Sequence, residues 1–426
     1  MTGLAAAVAS GFPCYEADEQ PGGICSSYYM RPFSSEHLSA APRDGEAYHF
    51  EIGGGHWIFG GEPCVLHYID RLTPVRSYLR KSGVYFPNER LSVAYPIQNH
   101  VSFLNQETRV KVLTEILSAA TSHQPARTMA EWVRSTFGQT LCEIFFDPFH
   151  DLYTAGLYRE IAPQDAYKTP VDLSLLIKGA MGDVPPVGYN AQFAYPKEGL
   201  HTLAQRMAER GKIHFGKRVV HIDVKRKLVG FADNSEKHYR ILISSLPLNK
   251  MMALANLSTE SKPDPSSSVL VVNIGGIKGS RCPDDHWVYI PQSRAGFHRV
   301  GIYSNVDRSF LPTSSQARND RVSIYVEKAL KEGQKPREQE TQSLGQAIIK
   351  ELQEWEFLGE SEVMDPTWID VAYTWSWPGS RWRLAALKIL LEHDIYQVGR
   401  YAGWVFQGIA DSIRDGFLMG TAMRNS

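Results

Sequence analysis

Gly3-Leu4-Ala5-Ala6-Ala7, Cys14-Tyr15-Glu16-Ala17-Asp18 and Pro21-Gly22-Gly23-Ile24-Cys25 follow one another at the start of the chain. The small residues from Gly3 to Ser10 suit a short helix packed close to a sheet. Phe12 to Ala17 reads as a strand, with Glu16 near its end. In a dinucleotide-binding βαβ unit, G-x-G-x-x-G aims a glycine turn and a helix N-terminus at a pyrophosphate, and an acidic residue further on takes the ribose. Gly3 then stands for the last glycine of that fingerprint. Glu16 stands for the ribose carboxylate, a charged acceptor that bonds hydroxyls strongly. Alone, Glu16 fits a solvent-exposed residue after a strand better; the Gly22-Gly23 pair six positions beyond it turns the balance to the ligand reading. The chain starts at Met1, so the first strand and leading glycines of such a unit are not in it. The expectation is a unit truncated at its start, or a reading frame that continues upstream of Met1. The strand in question would be central in the sheet, and its loss would leave two neighbours without a ladder partner.

The rest of the chain bounds the possibilities. Its 426 residues exceed one ordinary core, so two domains are expected, with room for a third. Basic and acidic residues nearly cancel, 45 against 46, so no basic field argues for nucleic acid. No apolar run approaches the roughly 20 residues of a membrane helix, and no signal peptide is visible. The five cysteines, Cys14, Cys25, Cys64, Cys142 and Cys282, are scattered and contain no CxxC pair. That pattern argues against a disulfide framework and a zinc site, and a reducing cytoplasm is the expected setting.

Periodicity places the other elements. Tyr48 to Ile52 alternates as a strand and runs into Gly53-Gly54-Gly55-His56, where missing Cβ atoms let backbone approach a ligand. Residues 26–47 read as irregular. Val110, Leu113 and Leu117 give a helical stripe, as do Trp132, Val133 and Phe137, then Leu200, Leu203, Ala204 and Met207, and later Leu384, Leu387 and Leu391. Strands are expected at 218–224, 228–231, 239–245, 268–275, 287–290, 299–303 and 395–398. Residues 257–267 and 331–343 read as polar or charged loops, the second preceding a helix with Ala347, Ile348 and Leu352.

Several local motifs occur in a fixed order: Gly55-His56-Trp57-Ile58-Phe59, Tyr95-Pro96-Ile97-Gln98-Asn99, Phe145-Phe146-Asp147-Pro148-Phe149-His150, Tyr195-Pro196-Lys197-Glu198-Gly199, Val219-Val220, Ile243-Ser244-Ser245-Leu246-Pro247-Leu248 and Gly399-Arg400-Tyr401-Ala402-Gly403-Trp404. Together with Gly3, Glu16 and the Gly22-Gly23 pair, this order resembles the FAD-dependent superfamily of amine oxidases, protoporphyrinogen oxidases and UDP-galactopyranose mutases. The resemblance implies an α/β fold: an FAD-binding Rossmann-like domain, its first strand missing, with an inserted helical plus mixed-sheet substrate domain. The implied boundaries are 1–94 with 195–256 and 365–426 for the FAD-binding domain, 95–194 for the helical part, and 257–364 for the mixed-sheet part.

The resemblance implies FAD as cofactor, with Gly3, Glu16, Gly22, Gly23, Gly55, His56, Val220, Gly399, Arg400, Asp411 and Ser412 around it and no metal. Catalytic candidates are His56, Arg299 and Tyr373, beside the flavin itself. Trp375, Trp377, Arg381 and Arg383 are further candidates for the substrate side, the arginines reading equally well as solvent-facing helix residues. The sequence departs from the mutases at His150, where Asn is usual, and at Gly408-Ile409-Ala410, where they carry Asp-Met-Asp. The span from Gly3 to Glu16 is also short. The implied partner is a small molecule, a nucleotide sugar in the mutase case; a homodimer is compatible. Three readings stay open: a flavoenzyme like UDP-galactopyranose mutase, without net redox; a hydride-transferring oxidase or desaturase of the protoporphyrinogen or amine oxidase type; and a non-catalytic truncated relative. No Ser/His/Asp triad, Walker loop or HExxH competes with them.

Overall fold

The computed structural model describes residues 1–121, 125–164, 171–182 and 191–424. Residues 165–170 and 183–190, within the expected helical part, lie outside the described residues.

The largest element is a seven-stranded sheet in the order Leu358–Thr374, Ser266–Lys278, Arg321–Lys331, Arg299–Ile302, Trp287–Tyr289, Ser82–Phe86, Leu91–Ala94. Every neighbouring pair is antiparallel except Trp287–Tyr289 with Ser82–Phe86. Ser266–Lys278 is buried along nearly its whole length because strands flank it on both sides and both faces are covered. The period of two sorts its residues. Leu270, Val272 and Ile274 join Val322, Ile324 and Val326 under the helix Glu338–Glu354, which contributes Ile348, Ile349 and Leu352. Val269, Val271 and Tyr325 face the opposite core. The same parity sends Glu327 to the Tyr325 face.

The Rossmann-like part is built from separated segments. Pro13–Tyr15 pairs in parallel with Lys212–His214, and Leu242–Ser244 pairs in parallel with Ile395–Gln397. The helix Thr2–Ser10 touches both pairs. It also packs along the last helix, Ile409–Met423, at very short range. A Cβ on Gly416 would strike the Thr2 carbonyl oxygen, and one on Gly420 the Ala6 carbonyl oxygen. Ala5 and Ala9 complete this seam. The helices of 106–181 cover the far end of the large sheet around Phe137, Phe145, Phe146 and Tyr158.

Several expectations change. Residues 26–47 contain the strand Ser27–Met30, which pairs with Tyr48–Glu51. In the helix Gln106–Thr121 the buried residues are Val112 and Ile116, while Val110 and Leu117 are exposed. In Trp382–Leu391 the buried residues are Trp382, Ala386 and Leu390, while Leu384 and Leu391 face outward. In both helices the covered face is rotated by about one residue from the apolar stripe read from the sequence, and the two share no fully buried residue. The strands Arg321–Lys331 and Leu358–Thr374 were not expected, and residues 82–94 join the large sheet. Among the described residues no helix is long and apolar enough to cross a membrane.

The helix seam gives a prediction. Gly416→Ala forces the first and last helices apart and costs about 1–3 kcal/mol of stability, the usual range for overpacking a close contact. Urea denaturation of the variant checks it, with Gly403→Ala, whose Cβ meets only the Gly399 carbonyl oxygen at 2.9 Å and ordinary contacts, as the milder comparison.

Candidate active site

One cavity of about 640 Å³ runs through the centre of the chain, within the size range of small-molecule and cofactor sites. Its lining comes from segments far apart in sequence. At one end stand Gly3, Glu16, Gly22 and Gly23. In the middle stand Gly55, His56, Arg400, Asp411 and Ser412. At the other end stand Tyr153, Tyr289, Arg299, Glu327, Tyr373 and Trp375.

The first end is shaped by glycine. Gly22 has φ +112° and Gly23 φ +56°, left-handed values that favour glycine. A Cβ on Gly22 would also sit 2.9 Å from the Cys25 carbonyl oxygen and 3.0 Å from the Ala204 Cβ. The helix Thr2–Ser10 presents its N-terminal residues to this end, and Glu16 lies at the end of the strand Pro13–Tyr15. Exposed amides at a helix start, a close-approach glycine turn and a carboxylate fit a dinucleotide's pyrophosphate and ribose.

The middle is held by the last segment. Gly399 does not line the cavity; with φ +94°, it packs so closely on Thr2 that a Cβ would collide with that side chain. Arg400, the next residue, lines the cavity. The Arg400 guanidinium stands 4.5 Å from the Phe406 ring centre and donates to the Gln407 carbonyl at 3.1 Å. The helix Ile409–Met423 begins here, with Asp411 accepting from the Gly408 N–H at 3.3 Å. Its N-terminus directs a positive dipole end into the cavity. His56 is held neutral: burial lowers its pKa, with the Arg400 charge adding to the effect, to about 4.

The aromatic end follows from sheet register. Tyr289 is opposite Arg299, Arg299 opposite Glu327, and Glu327 opposite Val271. Four neighbouring strands therefore place these side chains in one row. Arg299 grips both oxygens of Glu327, and the Tyr373 hydroxyl donates to Glu327 at 3.0 Å. Burial pushes the Glu327 pKa up more than any single neighbour lowers it, but the Arg299 charge and the contacts from His298 and Arg299 together bring the carboxyl down to about 2. His298 Nε2 lies 3.6 Å away, and burial lowers its pKa, so this contact is not an ion pair. Gly54, with φ +76°, lets the 53–56 turn settle on this row: its Cβ would meet Glu327 Oε1 and the Tyr325 ring at 3.2 Å.

Of the sequence candidates, Gly3, Glu16, Gly22, Gly23, Gly55, His56, Arg299, Tyr373, Arg400, Asp411 and Ser412 all reach this cavity. Val220 does not. It is 47% exposed, on an antiparallel strand of the Val219–Asp223, Leu228–Phe231, Glu236–His238 meander. Trp375 lines the cavity, whereas the Trp377 indole donates to the Pro263 carbonyl. Arg381 and Arg383 stay outside it, and Arg383 bonds the Gly403 carbonyl at 2.6 Å. Glu327 was missed; it is the lone acidic residue of Arg321–Lys331 and shares the inward parity of Tyr325, and that is the signal that marks it. Among the described residues there is no cluster of metal-ligating side chains.

Glu327→Gln removes the buried partner of the partly buried Arg299 guanidinium and is expected to cost about 3 kcal/mol, the low end of the range for breaking a buried pair. The double change Arg299→Met with Glu327→Leu is expected to recover most of that loss in denaturant unfolding. The pH dependence has a definite sign. The Glu327 pKa is depressed below its ordinary 4.5, so the stability it confers is full above pH 4.5. That contribution is lost as the pH falls from there through about 2.

Comparison with known proteins places this geometry. A family model described as flavin containing amine oxidoreductase matches residues 12–269. Among solved structures, a reduced UDP-galactopyranose mutase aligns at 23% identity over 98% of this chain and 92% of its own, with a TM-score of 0.81. A protein from Exiguobacterium sp. 255-15 assigned as a protoporphyrinogen oxidase aligns at 13% identity, over 100% of this chain and 96% of its own, with a TM-score of 0.67. Cyclohexylamine oxidase from Brevibacterium oxydans IH-35A aligns at 13% identity, over 100% and 96%, with a TM-score of 0.62. At these identities the structures establish the fold, which is shared by proteins of three different activities. The family model spans more than half of the chain, and the chain belongs to the flavin containing amine oxidoreductase family.

Proposed function

We propose that this chain is an FAD-dependent enzyme that transforms a small molecule at the aromatic end of its cavity, with a nucleotide sugar as the substrate class, in the manner of UDP-galactopyranose mutase. The observation that supports this most is the continuity of one cavity from the glycine-shaped end to the Arg299–Glu327–Tyr373 row. In this reading Glu16 accepts from the ribose hydroxyls. Gly3, Gly22 and Gly23 admit the pyrophosphate. Arg400, Gly55, His56, Asp411 and Ser412 surround the ring system, with Gly399 setting Arg400. FAD, the cofactor of the family, supplies a ring that exchanges electrons with a substrate or, when reduced, offers electron density to an electrophilic carbon. The same reading divides the chain into an FAD-binding part, 1–94 with 195–256 and 365–426, and substrate parts, 95–194 and 257–364.

The chain's own residues then act by positioning and field rather than as an acid–base pair. Arg299 is charged and locked to Glu327, and Tyr373 spends its hydroxyl on the same carboxylate. The neutral His56 leaves Arg400 and the last helix's N-terminus as the positive features in the middle of the cavity. A cationic amine would find no unmatched carboxylate at the aromatic end among the described residues, because Glu327 is already paired; this favours the mutase reading over an amine oxidase. Walls such as Phe149, Tyr153, Trp287 and Trp375 suit a flat apolar substrate and keep a porphyrinogen-type oxidase as the second reading.

Turnover of UDP-galactopyranose that requires prior reduction with dithionite supports the mutase assignment. Oxygen consumption with a porphyrinogen or an amine, and no sugar turnover, transfers support to the oxidase. For Arg400→Ala the expected result is FAD affinity weaker by about tenfold or more, from the loss of one charged contact. Fluorescence titration with FAD measures it, and unchanged affinity would count against the placement of Arg400 at the cofactor.

A further inference from the structure

A second ionisable cluster lies just behind the cavity wall. Glu51 ends the strand Tyr48–Glu51 and is completely buried. Its Oε1 accepts from the Ser27 hydroxyl at 2.9 Å and from the Tyr195 phenol. Its Oε2 has no hydrogen-bond partner. The Leu200 N–H, at the start of the helix Leu200–Ala208, favours the charged form of the carboxyl. Among the described residues no lysine or arginine forms an ion pair with Glu51. His49 Nε2 is 3.8 Å away, but burial and the nearby His201 keep that ring neutral, with a pKa of about 3. A fully buried carboxylate with one oxygen unmatched and no cation is costly, whereas its protonated form carries no charge to desolvate.

The backbone of the same residue is tied to the cavity wall. The Glu51 carbonyl accepts from Asn273 Nδ2 at 2.9 Å and from the Tyr303 hydroxyl at 3.4 Å, and Gly54 donates back to it at 3.3 Å. The residues that follow include Gly55 and His56 of the cavity lining, and Trp57, also in the lining, packs edge-on against Tyr195 at 5.1 Å. We propose that Glu51 is a positioning residue that holds the Gly53–His56 wall of the cavity as a neutral carboxylic acid, and that loss of its proton loosens this wall.

The groups around Glu51 do not share its titration. Burial pushes the Cys25 thiol up to about 11 and the Tyr29 phenol to about 12. It drives Tyr195 and Tyr303 well above their ordinary range and lowers His201. Two charged carboxylates face the cluster's neighbours: Glu198, exposed, acts on Tyr29 and His201, and Asp307, where hydrogen bonds outweigh burial and lower the pKa, acts on His49. Glu51 itself is raised by burial to about 7, against the opposing bonds from Tyr195, Ser27 and Leu200.

The link from this cluster to ligand affinity rests on the FAD reading above, so two measurements are paired. The first is FAD affinity of the full chain from pH 6 to pH 8.5. It is expected to be about tenfold weaker at pH 8 than at pH 6, and flat in Glu51→Gln at the stronger value. The second is denaturant unfolding of the protein as purified, which needs no added ligand. Because the Glu51 pKa is raised in the folded state, its contribution is full below about pH 4.5 and is lost as the pH rises to about 7. Relative to Glu51→Gln, the wild-type unfolding constant should therefore rise roughly a hundredfold across that window. Tyr195→Phe removes a bond that favours the charged form and should move the wild-type inflection to higher pH. An unfolding profile that Glu51→Gln leaves unaltered, or an inflection that Tyr195→Phe moves downward, overturns the proposal. An unfolding profile as expected with pH-independent FAD affinity overturns the link to the cavity wall, and no FAD binding at any pH overturns the cofactor reading instead.

Discussion

The structure depends on how closely the first and last helices approach. Gly416 and Gly420 bring the helix Ile409–Met423 onto the backbone of Thr2–Ser10 with no side chain between them. Gly399 presses on Thr2 in the same way. These contacts set two helix N-termini at one cavity, along with Glu16, the Gly22-Gly23 turn and Arg400. A side chain in that seam would separate the two ends of the chain, and with them the two halves of the site.

The sheet imposes a complementary constraint. Arg299 and Glu327 are cross-strand partners, so their pairing follows from register rather than from flexible side chains finding one another. A buried ion pair of this kind contributes little net stability, because desolvation offsets most of its attraction, yet removing one partner is expensive. It fixes which face of the sheet can be polar. Gly54 and the 53–56 turn then sit on that face, so the sheet and the glycine-rich segment define the aromatic end together.

Much of the site was legible because glycine and short motifs act locally. The Gly22-Gly23 pair, Gly55-His56 and Gly399-Arg400 announce backbone conformations or close approaches at their own positions. Val220 was expected at the cofactor through its backbone; its strand pairs into the exposed Val219–Asp223, Leu228–Phe231 meander, which only tertiary pairing reveals. Glu327 was hidden because an acidic residue followed by lysine looks like a strand end in solvent; parity along the whole of Arg321–Lys331 is needed to turn it inward. Leu358–Thr374 was missed because its acidic residues and Pro366 interrupt the alternation of a strand that has a sheet neighbour on one side only. Tertiary pairing, not local pattern, decides both.

Segments from both ends of the chain are proposed to build one FAD site. The most direct measurement is the visible absorbance spectrum of the purified protein after incubation with FAD and gel filtration. A yellow protein carrying about one flavin per chain is expected, as a single site of this kind requires. A colourless protein that leaves all added FAD in the small-molecule fraction would contradict it.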